Sequence, residues 1–465
     1  MAETAASPGD PASTIRSKRF VVLLVLAALI GVVASLAAWC FLELIHQIQV
    51  GVYTDLPKDF GYDKAPEWWS LPVLAIAGVV TAFAIVRLPG RGGHLPADGL
   101  GGGVTQPVDL PGVILAALAT VGLGIVLGPE APLIALGSGL GLLAIRLARR
   151  DAPPQVALVL ATAGTFASMS LIFDSPIIAA VILIEAAGLG GPTLSLVLLP
   201  GLLAAGIGSL ISIGMGSWTG LSTSAYALGP LSLPQFARPD IADFGWSILL
   251  AAAVAIVSFV VFRLARSTVR VVTTRPFVLV PVAGLAVSGL AIAFAETSGK
   301  SVNEVLFSGQ DALPGLVSGA ATWSLSALAL LIVFKGLAWA ISLGSFRGGP
   351  TFPALFLGAA GGLMAAQLPG YSITPAVAVG IGAAVASVLR LPLSAVVLAA
   401  LLTANTGAGA LPLVIVGVVV AYVITTVLSG PPAADGAAGG AANAAAADQA
   451  APAAAGAPPS ATAGG

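Results

Sequence analysis

The stretch "VLGPEAPLIALGSGLG" (residues 126–141) sets one carboxylate, Glu130, between Pro129 and Pro132 inside an otherwise apolar, glycine-rich run. The same punctuation returns in "GPTFPALFLGAAGG" (349–362). Gly128/Gly349, Pro129/Pro350, Pro132/Pro353, Leu136/Leu357, Gly137/Gly358 and Gly141/Gly362 coincide without a gap, 221 residues apart. That offset also carries Phe20, where the first long apolar run starts, onto Ile241, where a new one starts after a polar stretch. A second pair, "SPIIAAVILIEA" (175–186) and "LPLSAVVLAALL" (391–402), aligns Pro176 with Pro392. Equal spacing of glycine and proline predicts an internal duplication. With the first copy starting inside and the second outside, the copies are expected to be inverted, which places a substrate site at their interface near mid-membrane.

Composition sets the surroundings. Of 465 residues, 57% are hydrophobic and 8% charged, with a mean hydropathy of +1.02. A soluble domain carries about 25% charged residues, so an all-α polytopic membrane protein of the cell membrane is expected. The net charge of −1 argues against nucleic acid as a partner. The single cysteine, Cys40, has no intrachain disulfide partner and reads as a small hydrophobe. The first apolar run, residues 20–44, exceeds a signal-peptide core and lacks an A-x-A-like cleavage site. Arg16, Lys18 and Arg19 before it favour a cytoplasmic start.

Helices are expected at 20–48, 69–88, 109–127, 130–149, 155–171, 176–188, 193–213, 241–265, 276–297, 315–345, 350–366, 373–389, 392–404 and 411–428. Several fall short of the ~20 residues that cross a bilayer. Broken helices at that depth need protein or an aqueous cavity over their loose backbone, which points to a transporter or channel. Arg87, Arg91 and the group Arg263, Arg266, Arg270 and Arg275 suggest cytoplasmic loops, whereas 51–68 and 214–240 are poor in Lys and Arg and are expected outside. The organisation predicted is a cytoplasmic segment 1–19, a first membrane repeat 20–213, an extracytoplasmic linker 214–240, a second repeat 241–429 and a disordered Ala/Gly/Pro-rich tail 430–465.

Both repeated motifs read as a Gly-Pro turn opening a helix, where proline costs nothing at the first turn. Helix N-termini present unpaired N–H groups and about half a positive charge. Two of them converging make an anion site without a full cation, built around Gly128, Pro129, Gly349 and Pro350. "GRGGHLPADGL" (90–100) is a third candidate terminus. Glu130, in the first turn of its helix, would occupy the place of a permeating anion: blocking it when ionised, admitting it when protonated or swung aside. For Glu185, a solvated place at the cytoplasmic edge and a transport role both stand open. Asp174 reads as the cap of the helix opening at Pro176, and Lys335 as a buried cation or, the favoured reading, one snorkelling to an interface. His46 and His94 lack metal-ligand spacing, no phosphate-binding loop is present and no cofactor is expected.

From residue 20 to 428 the sequence resembles the CLC family of chloride channels and chloride/proton exchangers. "GPEAP" (128–132) is similar to the family's G-K/R-E-G-P, with Glu130 on the gating glutamate, and "GGPTFP" (348–353) to G-G-x-F-x-P. "GGHLP" (92–96) stands in the place of G-S-G-I-P, "SPIIAAVILIE" resembles the N-A-P-L-A-G run ending in an acid, and Lys335 before "SLGSFRGGP" also fits. The resemblance implies an inverted repeat of tilted, broken helices and a homodimer with one anion pathway per subunit. Departures matter. Pro129 replaces the basic residue before the gating acid, Ala131 the glycine after it, and Gly93 the pore serine; Thr351 takes the phenylalanine position, with Phe352 beside it. A central tyrosine has no counterpart. Coordination would then rest on amides near Gly93, His94, Ala131, Thr351 and Phe352, with the Thr351 hydroxyl. Ala186 replaces a second inward acid, which leaves two readings: passive conduction, or an inner proton route through Glu185 and water. The expected function is transport of chloride or a similar halide, with a proton-coupled chloride or fluoride antiporter and a non-transporting membrane protein as alternatives.

Overall fold

Proline and glycine decide where each helix begins and stops. The computed structural model describes residues 15–101, 103–148, 153–188, 194–221 and 227–430. We number the main helices α1 (Lys18–Val50), α2 (Ser70–Arg87), α3 (Leu110–Gly122), α4 (Glu130–Ala148), α5 (Pro154–Ile172), α6 (Pro176–Ala186) and α7 (Leu194–Thr219). They continue with α8 (Ile241–Val272), α9 (Pro276–Ser298), α10 (Leu313–Ser318), α11 (Leu325–Ser345), α12 (Thr351–Ala365), α13 (Ile373–Leu389), α14 (Pro392–Leu402) and α15 (Leu411–Ser429). Proline stands in the first turn of α3, α5, α6, α9, α10, α14 and α15, where its missing N–H is no loss.

Among the described residues, nine helices are long and apolar enough to cross a membrane, while α3, α6, α12, α13 and α14 are shorter apolar pieces. The outer side of α1 exposes Val21, Val25, Leu29 and Val33, and Cys40 lies exposed on the same helix. An aqueous surface would not tolerate so much apolar area, and lipid does.

Two helix pairs at the centre repeat one crossing. A Cβ on Gly137 of α4 would strike the Gly164 carbonyl of α5, and a Cβ on Gly164 would strike Gly137. In α12 and α13, Gly358 and Gly380 oppose each other in the same way. One turn further, Gly141 lies against Ala161, and Gly362 against Val377. Backbones packed this closely exchange dispersion contacts that bulkier residues would prevent. The contact residues run 221 apart on the first helix of each pair and 216 apart on the second. The second copy is therefore five residues shorter between its paired helices, and the same shift separates Pro176 from Pro392.

Several boundaries differ from the expected ones. The helix expected at 109–127 stops at Gly122; Gly124 then takes a left-handed φ of +96°, wedged against Tyr53 and Phe307. The segment 315–345 is two helices. α10 ends at Ser318, and α11 starts afresh where the Ser324 hydroxyl accepts the Ala327 N–H at 3.2 Å. α8 runs on to Val272, so Arg263, Arg266 and Arg270 sit on a helix beyond the apolar span rather than in a loop. α1 continues through a π turn, Gly51–Asp55, to Asp59, and α7 reaches Thr219; both take residues expected in outer loops.

Lys335 does not reach an interface. It is fully buried on α11, and its Nζ donates to the carbonyls of Glu304 (2.9 Å), Val305 (3.1 Å), Leu306 (3.0 Å) and Phe307 (3.3 Å). The ammonium ties the 302–307 segment to α11, with the Phe356 ring 4.5 Å away. The tail 431–465 and the first 14 residues lie outside the described residues.

Candidate functional site

The two repeated turns meet. Gly128 N–H donates to the Gly349 carbonyl (2.8 Å) and Gly349 N–H to the Gly128 carbonyl (2.6 Å), an antiparallel pair at the heart of the molecule. α4 leaves this bridge in one direction and α12 in the other, so both N-termini start from one point. The Leu133 N–H closes the first turn of α4 on Pro129, and the Ala354 N–H closes that of α12 on Pro350.

Glu130 lies between the two ends. The residue is wholly buried, and the Thr351 backbone N–H donates to its Oε1. The N–H groups of Glu130 and Phe352 also face the carboxylate. The carboxyl group fills space that only glycine leaves open: a Cβ on Gly349 would fall on its Cδ, and one on Gly128 on its Oε2. Oε2 has no hydrogen-bond partner, and neither does the buried Thr351 hydroxyl. The acid is thus met by N–H groups on one side while its other oxygen is left unpaired in the interior, where an unpaired polar atom is costly.

An account of the donors narrows the predicted set. The amides of Gly128 and Gly349 are spent on each other, and Pro129 and Pro350 have none, so these four shape the turn without donating. Gly93 N–H donates to the Gly90 carbonyl at 2.8 Å and is also spent. Among the described residues the N–H groups of Ala131 and Phe352 donate to no main-chain carbonyl, and the Thr351 N–H donates to Glu130. Three amides therefore remain where the helix dipoles converge. The Phe173 and Phe352 rings stack beside them at 5.7 Å.

The third candidate terminus is no helix end. Residues 89–98 form two short 3-10 turns, and the next α-helix begins only at Leu110. Gly90, Gly92 and Gly93 all take left-handed φ values there, a path that side chains would strain. Asp174 is not the cap of α6. It sits in a left-handed turn (φ 47°), and Ser175 caps the helix by accepting the Ile178 N–H at 3.3 Å. Glu185, at the end of α6, accepts from Leu393 N–H (2.9 Å), Ser394 N–H (2.7 Å) and the Ser394 hydroxyl (2.6 Å). An acid from the first copy thus caps α14 of the second.

A cavity of about 270 Å³ reaches the first turn of α4. Gly93 and His94 form one wall, Ala131 and Ala135 another, and Arg347 with Gly348 a third. Burial lowers the His94 pKa, against the opposing pull of Asp98. Burial also lowers Arg347, to about 10, which leaves it charged. The repeat does not single out Arg347, whose one mark in the sequence is that it is a cation directly before the second glycine turn.

Residues 98–426 match the family described as voltage gated chloride channel. The chain is 29% identical over 359 residues to the "Putative ion-transport protein YfeO" of Escherichia coli O1:K1, covering 75% of this chain and 80% of that one. Its fold is similar to that of a slow cyanobacterial Cl⁻/H⁺ antiporter (TM-score 0.70, 19% identity, 88% of this chain and 95% of that one). It is also similar to a CLC-type fluoride/proton antiporter (TM-score 0.66, 20% identity, 87% and 95%) and a eukaryotic CLC transporter (TM-score 0.65, 16% identity, 88% and 72%). Bridged Gly-Pro turns, helices broken at the centre and the family match over most of the chain lead to one conclusion: this is a multi-pass membrane protein belonging to the voltage-gated chloride channel (CLC) family.

Proposed function

We propose that the chain moves chloride or a similar small halide through a site between the N-termini of α4 and α12, with Glu130 as the protonatable gate. The observation that carries this is the Glu130 carboxylate, itself an anion, accepting the Thr351 N–H at the meeting point of two helix ends. The amides of Ala131, Thr351 and Phe352 are donors that a halide would use once the carboxylate leaves. Peptide dipoles suit such a site, because they stabilise an anion by fractions of a charge and release it again. Protonation removes the competing charge, so flux should rise as pH falls. Only in the coupled alternative would Glu185, with water, supply the inner proton route; in either case the protein would work as a homodimer with one pathway per subunit.

Proton-coupled exchange of chloride or fluoride is the second reading, favoured by the fold shared with a Cl⁻/H⁺ and a fluoride/proton antiporter. The deciding experiment is the reversal potential of the reconstituted protein under opposed chloride and pH gradients. A value at the chloride potential supports passive conduction, and a displaced value reports proton exchange. Parallel chloride and fluoride efflux assigns the ion. No flux of any halide would overturn both readings.

A further inference from the structure

One end of the molecule is rich in exposed arginine. On α8, Arg263, Arg266 and Arg270 recur at i, i+3 and i+7, so they share one stripe, and all three are exposed. Arg275, also exposed, follows in the turn to α9. α2 lies against α9, with Gly78 on Pro281 and Gly284 on Leu74, which brings exposed Arg87 in its last turn to the same end. No acid stands between Asp243 and Glu296 in the sequence. The turn bearing Asp98 packs against α8 and α11, but the charge of Asp98 acts on Arg347 and His94. Among the described residues, none of the guanidiniums of Arg87, Arg263, Arg266, Arg270 and Arg275 makes an ion pair or hydrogen bond.

Depth matters as much as charge. α8 has 32 residues, a length of about 48 Å, against a hydrocarbon core of about 30 Å. Counted from Ile241, Arg263 lies about 33 Å along the axis and Arg270 about 44 Å, the span of the headgroup layer beyond the core. Exposed Val260 and Leu264 adjoin the stripe on α8, and exposed Phe277 adjoins Arg275. We propose that this face is a docking surface for anionic phospholipids of the cytoplasmic leaflet, their phosphates on the arginines and their chains on Val260, Leu264 and Phe277. A guanidinium fork matches a phosphate, and juxtamembrane arginines attract an anionic leaflet. A soluble anion would use the charge and leave the apolar flank bare; a lipid uses both.

The lipid would bear on the second glycine turn. A Cβ on Gly344 of α11 would strike the Ala265 carbonyl and Thr268 of α8, and the Phe262 and Trp339 rings meet at 5.8 Å. Gly344 stands five residues before Gly349, so a lipid that steadies the end of α8 also steadies that turn. This last step rests on the transport reading above, whereas docking itself does not.

The test recovers the protein from vesicles holding equal phosphatidylglycerol and phosphatidylethanolamine and counts the retained lipids by mass spectrometry. Wild type should prefer phosphatidylglycerol. The preference should fall about fivefold for each arginine removed in the series Arg263→Gln, Arg266→Gln and Arg270→Gln. The same three positions changed to lysine keep the charge and should stay within about twofold of wild type. High salt should strip the preference from wild type, a check that needs no variant. Equal retention of both lipids by wild type, or an undiminished preference in the triple glutamine variant, would overturn the docking surface. So would displacement of the lipid by an equal concentration of inorganic phosphate, which would mark a site for free anions. Halide efflux from phosphatidylcholine vesicles with and without phosphatidylglycerol reads the coupling: the anionic lipid should speed wild type and leave the triple glutamine variant unchanged. A wild type indifferent to the lipid it retains would overturn the link to α11. Retained lipid without flux in any vesicle would support docking and count against transport.

Discussion

The segments Gly128–Gly141 and Gly349–Gly362 share a scaffold and differ at the residue that matters. Each has a Gly-Pro turn, a proline one turn on, and two glycines that let a partner helix press backbone to backbone. At matched positions stand Glu130 and Thr351, and the Thr351 N–H donates to the Glu130 carboxylate. One step outward, Arg347 faces Val126 in the match. The two turns share one frame, and among the positions where they differ one carries an acid, Glu130, and another a cation, Arg347. In this account the symmetry builds the anion site, and the asymmetry controls it.

The largest effect expected from breaking that comparison is at the acid. Glu130→Gln should make halide efflux large and nearly independent of pH, where the wild type accelerates on acidification; an unchanged pH response would place the gate elsewhere. Exchanging the matched residues, as Glu130→Thr with Thr351→Glu, should carry the pH sensitivity to the opposite side of the membrane. Sensitivity retained on the original side would mean that the surroundings, rather than the position of the acid, choose the side.

Scaffold changes should act on both copies alike. Gly137→Ala and Gly358→Ala each drive a methyl into an opposing backbone, and each should lower stability by about 1–3 kcal/mol, the usual cost of overpacking. Thermal unfolding in detergent checks this, and a large effect in one copy alone would refute their equivalence. The smallest effect is at Glu185→Gln. It weakens the charge–dipole part of the α14 cap and should cost about 1 kcal/mol while leaving the pH profile of flux in place. A profile flattened by this change would instead assign Glu185 to the proton route.

Much of this frame was legible before any coordinates. The Gly128/Gly349 match predicted two helix starts, and they meet, because glycine and proline act through backbone geometry that sequence records directly. Donor use was less legible. Nothing about Gly128, Gly349 or Gly93 as residues says that their amides are already spent, since the acceptors are carbonyls, which every residue has. The Lys335 cage was hidden for the same reason: its four partners are the main-chain oxygens of Glu304, Val305, Leu306 and Phe307. Arg263, Arg266 and Arg270 misled in another way, because a helix does not stop where the apolar span stops.

The central claim is most directly tested by a crystal structure of the Glu130→Gln protein soaked in bromide, read by anomalous scattering. The account predicts a bromide peak between the two helix ends, within hydrogen-bond reach of the N–H groups of Ala131, Thr351 and Phe352. Bromide bound elsewhere in a well-ordered crystal, with those amides unoccupied, would contradict it.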